Sequence, residues 1–366
     1  MNARHVYVHV PFCARRCSYC DFSIAVRRTV PVAAFLDAVT MEAAHHGAPA
    51  RPSTLYLGGG TPSRLGGDGL ATLVRRLGAE QGIEECTVEA NPEDVTPDAV
   101  TAWVRAGVNR LSIGAQSFEP RVLAWMHRVH DAEAIGSAVR SARAGGIANL
   151  SLDLIFALPD ALARDWVRDL AAAIALEPDH ISLYGLTVEP HTPLRRWIAR
   201  GEAAEAADGR YAEEYLTAHE RMAAAGFTFY EVSNAARPGK EAVHNAAYWT
   251  LAPYLGLGPS AHSFDGTDRW WNEPVYVRWL ARVQGRGGAV TGRETPTPDQ
   301  RRLEHLYLGL RTRSGVLLAD APQALAPKAA LWERSGWAAL VHGAGGVRLR
   351  LTPAGWLRLD ELVASV

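Results

Sequence analysis

His9-Val10-Pro11-Phe12-Cys13-Ala14-Arg15-Arg16-Cys17-Ser18-Tyr19-Cys20 closes the first β-branched run of the chain, Val6–Val10, and puts three cysteines within eight residues. Thiolates are soft ligands that suit zinc and iron–sulfur centres. A residue spans at most about 3.6 Å, so the spacing Cys-x3-Cys-x2-Cys lets all three sulfurs wrap one compact centre. No fourth cysteine lies nearby; the remaining one, Cys86, falls in a later strand-like run and reads as a buried, inert thiol. A structural zinc site would want a fourth ligand, for which His9 and Asp21 are the neighbours, whereas a cubane on three cysteines leaves one iron open.

Outward from this stretch, apolar or β-branched runs recur at Thr54–Leu57, Cys86–Ala90, Arg110–Ile113, Leu150–Ile155 and Ile181–Leu186. Helix-like stretches near 32–46, 68–81, 97–106, 131–145 and 161–176 separate them. Six successive βα units predict parallel strands, and six where a closed barrel has eight predict a partial barrel open on one side. Cys13, Gly58 to Gly60, Glu89, Gln116, Asp153 and Thr187 fall at or just after the strand ends, where a parallel barrel carries its chemistry. Residues 191–226 read as helical and 227–233 as a strand; 244–272 are rich in His, Trp, Tyr and Gly, and 284–298 read as a linker. Helical segments at 299–311 and 321–335, a hairpin at 339–351 and a last helix over 353–364 complete the pattern. The expected fold is α/β: a partial (β/α)6 barrel core over 1–190, an extension over 191–285 and a smaller α+β, winged-helix-like domain over 286–366.

The 366 residues suffice for a barrel of roughly 200–250 residues plus a small domain. Lys+Arg (38) almost balances Asp+Glu (39), so the whole chain lacks the basic footprint of a nucleic-acid binder, and no nucleic acid is expected as partner. Salt-sensitive DNA binding by the winged-helix-like segment is the rival reading that this balance opposes. Clustered rather than scattered cysteines point to metal binding in a reducing compartment. The first residues form no signal segment and no run of 18 apolar residues occurs, so a cytoplasmic chain is expected.

Gly58-Gly59-Gly60-Thr61-Pro62 follows the second run, and glycines let the backbone approach a ligand closely. Glu89 ends the third run, Gln116 follows the fourth, Arg128 lies twelve residues on, and Asp153 sits in the fifth. Carboxylates suit ribose hydroxyls or an ammonium group, and an arginine suits a carboxylate. Singly, each residue could equally be a satisfied structural one.

Together with the cysteines and Tyr19, this set resembles the radical-SAM superfamily and, within it, the branch of oxygen-independent coproporphyrinogen III oxidases. The resemblance implies a [4Fe–4S] cluster on Cys13, Cys17 and Cys20, with S-adenosylmethionine (SAM) on the open iron. It implies SAM contacts from Tyr7, Tyr19, Gly59, Gly60, Thr61, Glu89, Gln116, Arg128 and Asp153, and an electron donor for the cluster. It extends over nearly the whole chain through Tyr184-x-x-Thr187-x-Glu189-Pro190, Tyr230-Glu231-Val232-Ser233-Asn234, Gly256-x-Gly258-Pro259-Ser260-Ala261-His262 and His244-Asn245-x-x-Tyr248-Trp249.

Two features separate this sequence from the oxidases and align it with the heme chaperones of the same branch. The oxidases have a further cysteine two residues after the third, where Phe22 stands here, and a longer segment before the cluster, where twelve residues stand here. The chaperone resemblance implies heme as ligand and recipient hemoproteins as partners, among them respiratory enzymes, at which the chain would be peripheral to the membrane. Porphyrinogen decarboxylation, or radical methylation or cyclopropanation, are the alternatives, and no catalytic residue is assigned. His244 is a chemically reasonable iron ligand, with Asn245, Tyr248 and Trp249 beside a porphyrin. The same residues could instead cap a turn and fill core. His262 reads as lining the barrel mouth or fixing its Gly-rich loop.

Overall fold

The computed structural model describes residues 3–80, 82–285 and 287–366. Residue 81, which ends the second expected helix, and residue 286, which opens the expected C-terminal segment, lie outside the described residues. Six parallel strands follow in order: β1 (His5–Val10), β2 (Thr54–Gly59), β3 (Glu85–Ala90), β4 (Arg110–Gln116), β5 (Asn149–Phe156) and β6 (His180–Gly185). Helices cover the connections, and several begin on the side chains the sequence offers. Thr96, Asp131 and Asp165 each accept a hydrogen bond from a first-turn backbone N–H, at Ala99, Ala134 and Arg168.

A seventh parallel strand, Tyr254–Leu257, lies against the outer edge of β1. Antiparallel strands extend both sides, so among the described residues the sheet has 12 strands with two open edges, a partial barrel. One of these strands corrects a sequence expectation. Val290–Glu294, inside the expected linker, pairs with Arg269–Asn272 as the outermost strand. Its side chains are mostly exposed, so it carries no apolar signal; an edge strand needs only one row of backbone bonds. The stretch 191–226 divides into helices Pro193–Ala199 and Asp208–Ala224, and the last helix divides into Pro353–Trp356 and Leu359–Ala364.

The C-terminal part combines helices Pro298–Arg311 and Leu325–Arg334 with a three-stranded sheet that contains the expected hairpin, Ala338–Gly343 with Gly346–Leu351. Backbone bonds tie it to the extension, from Val232 N–H to the Arg311 carbonyl (3.1 Å) and from Arg313 N–H to the Tyr230 carbonyl (2.9 Å).

Side chains alternate along each barrel strand. Val6, Val8, Val10, Leu55, Leu57, Cys86, Val88, Leu111, Ile113, Leu152, Leu154, Ile181 and Leu183 join the apolar core under the helices. The alternate positions are polar and contact one another: Tyr56 with Glu89, Ser112 with Asp153, Ser151 with His180. The lumen of the half-barrel is therefore a buried polar lattice, and its open end is where a ligand can meet it.

Candidate cofactor site

Beyond β1 the chain turns through a loop held at several points. Phe12–Cys13 pairs with Ala25–Val26, Ser18 N–H donates to the Met126 carbonyl, and Leu194 N–H donates to the Ser18 carbonyl. Cys13, Cys17 and Cys20 are all free thiols and line one cavity of about 460 Å³ at the C-terminal ends of the strands. Burial raises the Cys13 thiol and pushes Cys20 up to about 12, so metal binding there must displace protons. Among the described residues no three His, Cys, Asp or Glu side chains form a group suited to a single ion. The three thiols share one cavity wall and lie near enough to influence one another's charge.

The same cavity is lined by Tyr19, Gly59, Gly60, Thr61, Glu89, Gln116, Arg128 and Asp153. Gly60 N–H donates to the Val10 carbonyl at 2.8 Å, and a Cβ on Gly60 would lie 2.8 Å from the Pro11 carbonyl carbon and oxygen. No side chain fits there, so the loop presses against the exit of β1 and leaves its other side to the cavity. Thr61 Oγ1 lies 3.4 Å from Cys13 Sγ.

Glu89 accepts hydrogen bonds from the Tyr56 hydroxyl (2.7 Å) and the Gly59 N–H (3.1 Å). Burial nevertheless pushes its carboxyl up to about 7. Asp153 accepts from the Ser112 hydroxyl at 2.9 Å, and burial raises it as well. Arg128 donates to Asn91 Oδ1 (2.7 Å) and the Gly114 carbonyl (2.9 Å), and one Nη lies 3.8 Å from Cys17 Sγ. Gln116 has φ 66°, in the left-handed region, just past a register shift in β4. A residue other than glycine is costly there, and such strain concentrates at ligand sites.

Tyr7 sits elsewhere: its hydroxyl meets His9 Nδ1 at 3.2 Å and its ring lies 6.1 Å from that of Tyr56, behind the cavity wall. His244 departs further from expectation. It is fully buried at the opposite end of the lumen, against Thr54 and His5, the first residues of β2 and β1. Its Nδ1 meets Thr54 Oγ1 at 2.7 Å and its Nε2 meets the Tyr248 hydroxyl at 2.8 Å, so neither nitrogen is free for an iron. Burial lowers its pKa to about 3. Asn245 is on the same short helix, Val243–Trp249, and Trp249 faces a separate cleft. His262 is exposed and stacks on Trp271.

Asn91, Ser112 and Tyr56, which hold Arg128, Asp153 and Glu89, are the residues motif reading passed over. Strict alternation in β3, β4 and β5 would have marked Ser112 as facing the lumen together with Asp153 and Glu89.

The radical SAM superfamily model matches residues 7–173. The heme chaperone HemW of Mycobacterium tuberculosis is 38% identical over 99% of this chain and 94% of its own length. The chain belongs to the HemW family of radical SAM proteins. The heme chaperone HemW of Escherichia coli is 36% identical over 70% of this chain and 69% of its own length. The fold is that of E. coli coproporphyrinogen III oxidase (HemN), with a TM-score of 0.80 over 98% of this chain and 89% of that one, at 22% identity.

HemW-family membership implies a [4Fe–4S] cluster and SAM, and the residues present suit both. Three unpaired thiols share one wall, a glycine loop is too tight for side chains, and carboxylates and an arginine complete the lining. Among the described residues no helix is long and apolar enough to cross a membrane.

Proposed function

We propose that this HemW-family chain is a heme chaperone: it binds heme and passes it to hemoproteins, with the cluster and SAM in the half-barrel as its resident cofactors. The similarity to a heme chaperone over 94% of that protein's length carries the reading. Phe22 supports it, standing 56% exposed on the cofactor cavity where the oxidases bring a further cysteine.

In this reading Cys13, Cys17 and Cys20 hold the cluster, and Gly59, Gly60 and Thr61 offer backbone groups to the amino acid moiety of SAM. When bound, the cluster supplies a single electron to SAM. Arg128, fixed by Asn91 and Gly114, sets positive charge beside Cys17. Glu89, raised toward neutrality by burial, becomes a stronger acceptor once a cationic ligand enters. Asp153 is held for the same ligand by Ser112, and Tyr7 supports the wall through His9. Recipient hemoproteins, membrane-bound respiratory enzymes among them, and an electron donor complete the set of partners, and the chain works from the cytoplasm.

The experiment is an anaerobic heme titration of the cluster-reconstituted protein, with coproporphyrinogen turnover followed in parallel. Saturable heme binding without decarboxylated product is expected. Turnover without stable heme binding would make the chain an oxidase of the same fold.

A further inference from the structure

A second cavity, of about 740 Å³, opens between the extension and the C-terminal part, remote from the cysteines. Its walls are Trp249, Leu251 and Phe264 from the extension and Leu306, Val316 and Leu317 from the C-terminal part. The volume falls within the roughly 300–1,000 Å³ of sites that enclose a ligand of cofactor size.

Its polar groups are few. The helix Pro298–Arg311 brings Arg301 and His305 to the cavity at four-residue spacing, one turn apart on the same face. His305 is exposed, and no side-chain or backbone partner engages its ring among the described residues. Arg301 donates only to the backbone carbonyls of Pro296 (3.2 Å) and Thr267 (3.3 Å), so no carboxylate compensates its charge among the described residues. The other charges on the cavity are largely answered: Glu304 pairs with Arg269 and Arg302 with Asp299. Asp320, on the turn Leu318–Asp320, pairs with no cation among the described residues. Trp249 Nε1 is buried without a hydrogen-bond partner among the described residues, and the Arg311 guanidinium lies 4.3 Å from the Trp249 ring centroid. A broad apolar space with one free imidazole and one guanidinium that no carboxylate answers, with Asp320 on the turn of its wall, suits a flat apolar ligand that carries a metal and an anionic edge.

We infer that heme binds in this cleft, with His305 as the axial ligand of its iron and Arg301 as the partner of a propionate. The inference rests on the chaperone reading and moves the heme away from His244. Neutral imidazole is a common axial donor to heme iron, and a guanidinium meets a carboxylate through paired N–H groups. Asp320 repels propionates, so the anionic edge turns toward Arg301. Trp249, which the HNxxYW motif places at the end of its helix, then packs beside the porphyrin, while His244 and Tyr248 of that motif hold the helix to the barrel floor.

The test is an anaerobic heme titration of the full chain with its cluster, read by the heme absorption band and by electron paramagnetic resonance of the ferric form. His305→Gly is expected to weaken binding at least tenfold and to lose the histidine-ligated spectrum, which added imidazole restores. Arg301→Ala is expected to weaken binding several-fold with the ligation spectrum kept, and Asp320→Asn to bind as tightly as wild type or tighter. His305 is exposed and its ring is unbonded among the described residues, so glycine there weakens only the helix Pro298–Arg311 locally, and the unchanged cluster spectrum of the same sample verifies that the fold survives. Wild-type binding that His305→Gly leaves unaltered in strength and spectrum overturns the cleft and leaves the chaperone reading standing. Absence of saturable binding by the wild type overturns both.

Discussion

Replacing Gly60 by alanine tests whether the glycine loop and the exit of β1 form one rigid cradle. The added methyl would stand 2.8 Å from the carbonyl carbon and oxygen of Pro11 and 2.9 Å from the carbonyl oxygen of Val10. These are backbone atoms, so no flexible side chain can swing away, and the chain leading to Cys13 must shift. Forcing a methyl into a packed site costs about 1–3 kcal/mol. Unfolding entropy is ~2.1 cal/mol/K per residue, so at this chain length each kcal/mol lowers Tm by about 1.3 °C. The apo protein should melt about 1–4 °C lower. The larger effect falls on the metal, since a cluster needs all three sulfurs within a few tenths of an ångström of their places. Iron and sulfide content after anaerobic reconstitution should drop below about half that of wild type. Gly47→Ala is the control: φ there is +61° and a Cβ meets nothing within 4 Å, so it carries backbone strain without touching the cradle. A Gly60→Ala protein with wild-type Tm and full iron content would refute the reasoning.

Cys20→Ala should abolish cluster assembly, whereas Cys86→Ala should keep wild-type iron content and lose only about 1 kcal/mol of stability, because Cys86 is buried in the core under the helices; iron analysis and thermal melting decide. His244→Ala removes a side chain hydrogen-bonded to Thr54 and Tyr248 and should destabilise the apo protein by about 2–4 kcal/mol, read as a lower Tm, while heme binding persists. His219 stacks on Phe229 with a centroid distance of 3.5 Å, its Nε2 has no partner among the described residues, and burial lowers its pKa from 6.5 to about 4. A base whose folded pKa is depressed contributes stability above the unfolded value, and that stability is lost as pH falls from 6.5 toward 4. At about pH 5 the loss is about 2 kcal/mol. His219→Phe should remove it, so that the variant's Tm falls less than wild type's between pH 7 and about 5; equal slopes would mean that the ring titrates alike in the folded and unfolded states.

Much of the cofactor site was legible as a string because its parts lie where strands end. The cysteine spacing comes just after the first of successive parallel strands, and Gly58 to Gly60, Glu89, Gln116 and Asp153 come at the ends or in the C-terminal halves of the next ones, which parallel pairing brings to one side. Arg128 belongs to no strand end, and only its bonds to Asn91 and the Gly114 carbonyl bring it beside Cys17.

The sequence by itself determined the βα repeat, the cysteine spacing and the family, because these depend on short-range periodicity and on residue types with few chemical uses. The tertiary structure alone decided which face of each strand looks into the lumen and which histidines are free. His244 and His305 are chemically identical; the first has both nitrogens taken by Thr54 and Tyr248 at the barrel floor, and the second stands open on a cleft built from two separate parts of the chain. The outermost strand at Val290–Glu294 was equally hidden, since its pairing lies with the distant Arg269–Asn272 and its own exposed side chains carry no pattern. Long-range pairing and burial are properties of the packed chain, and no local stretch encodes them.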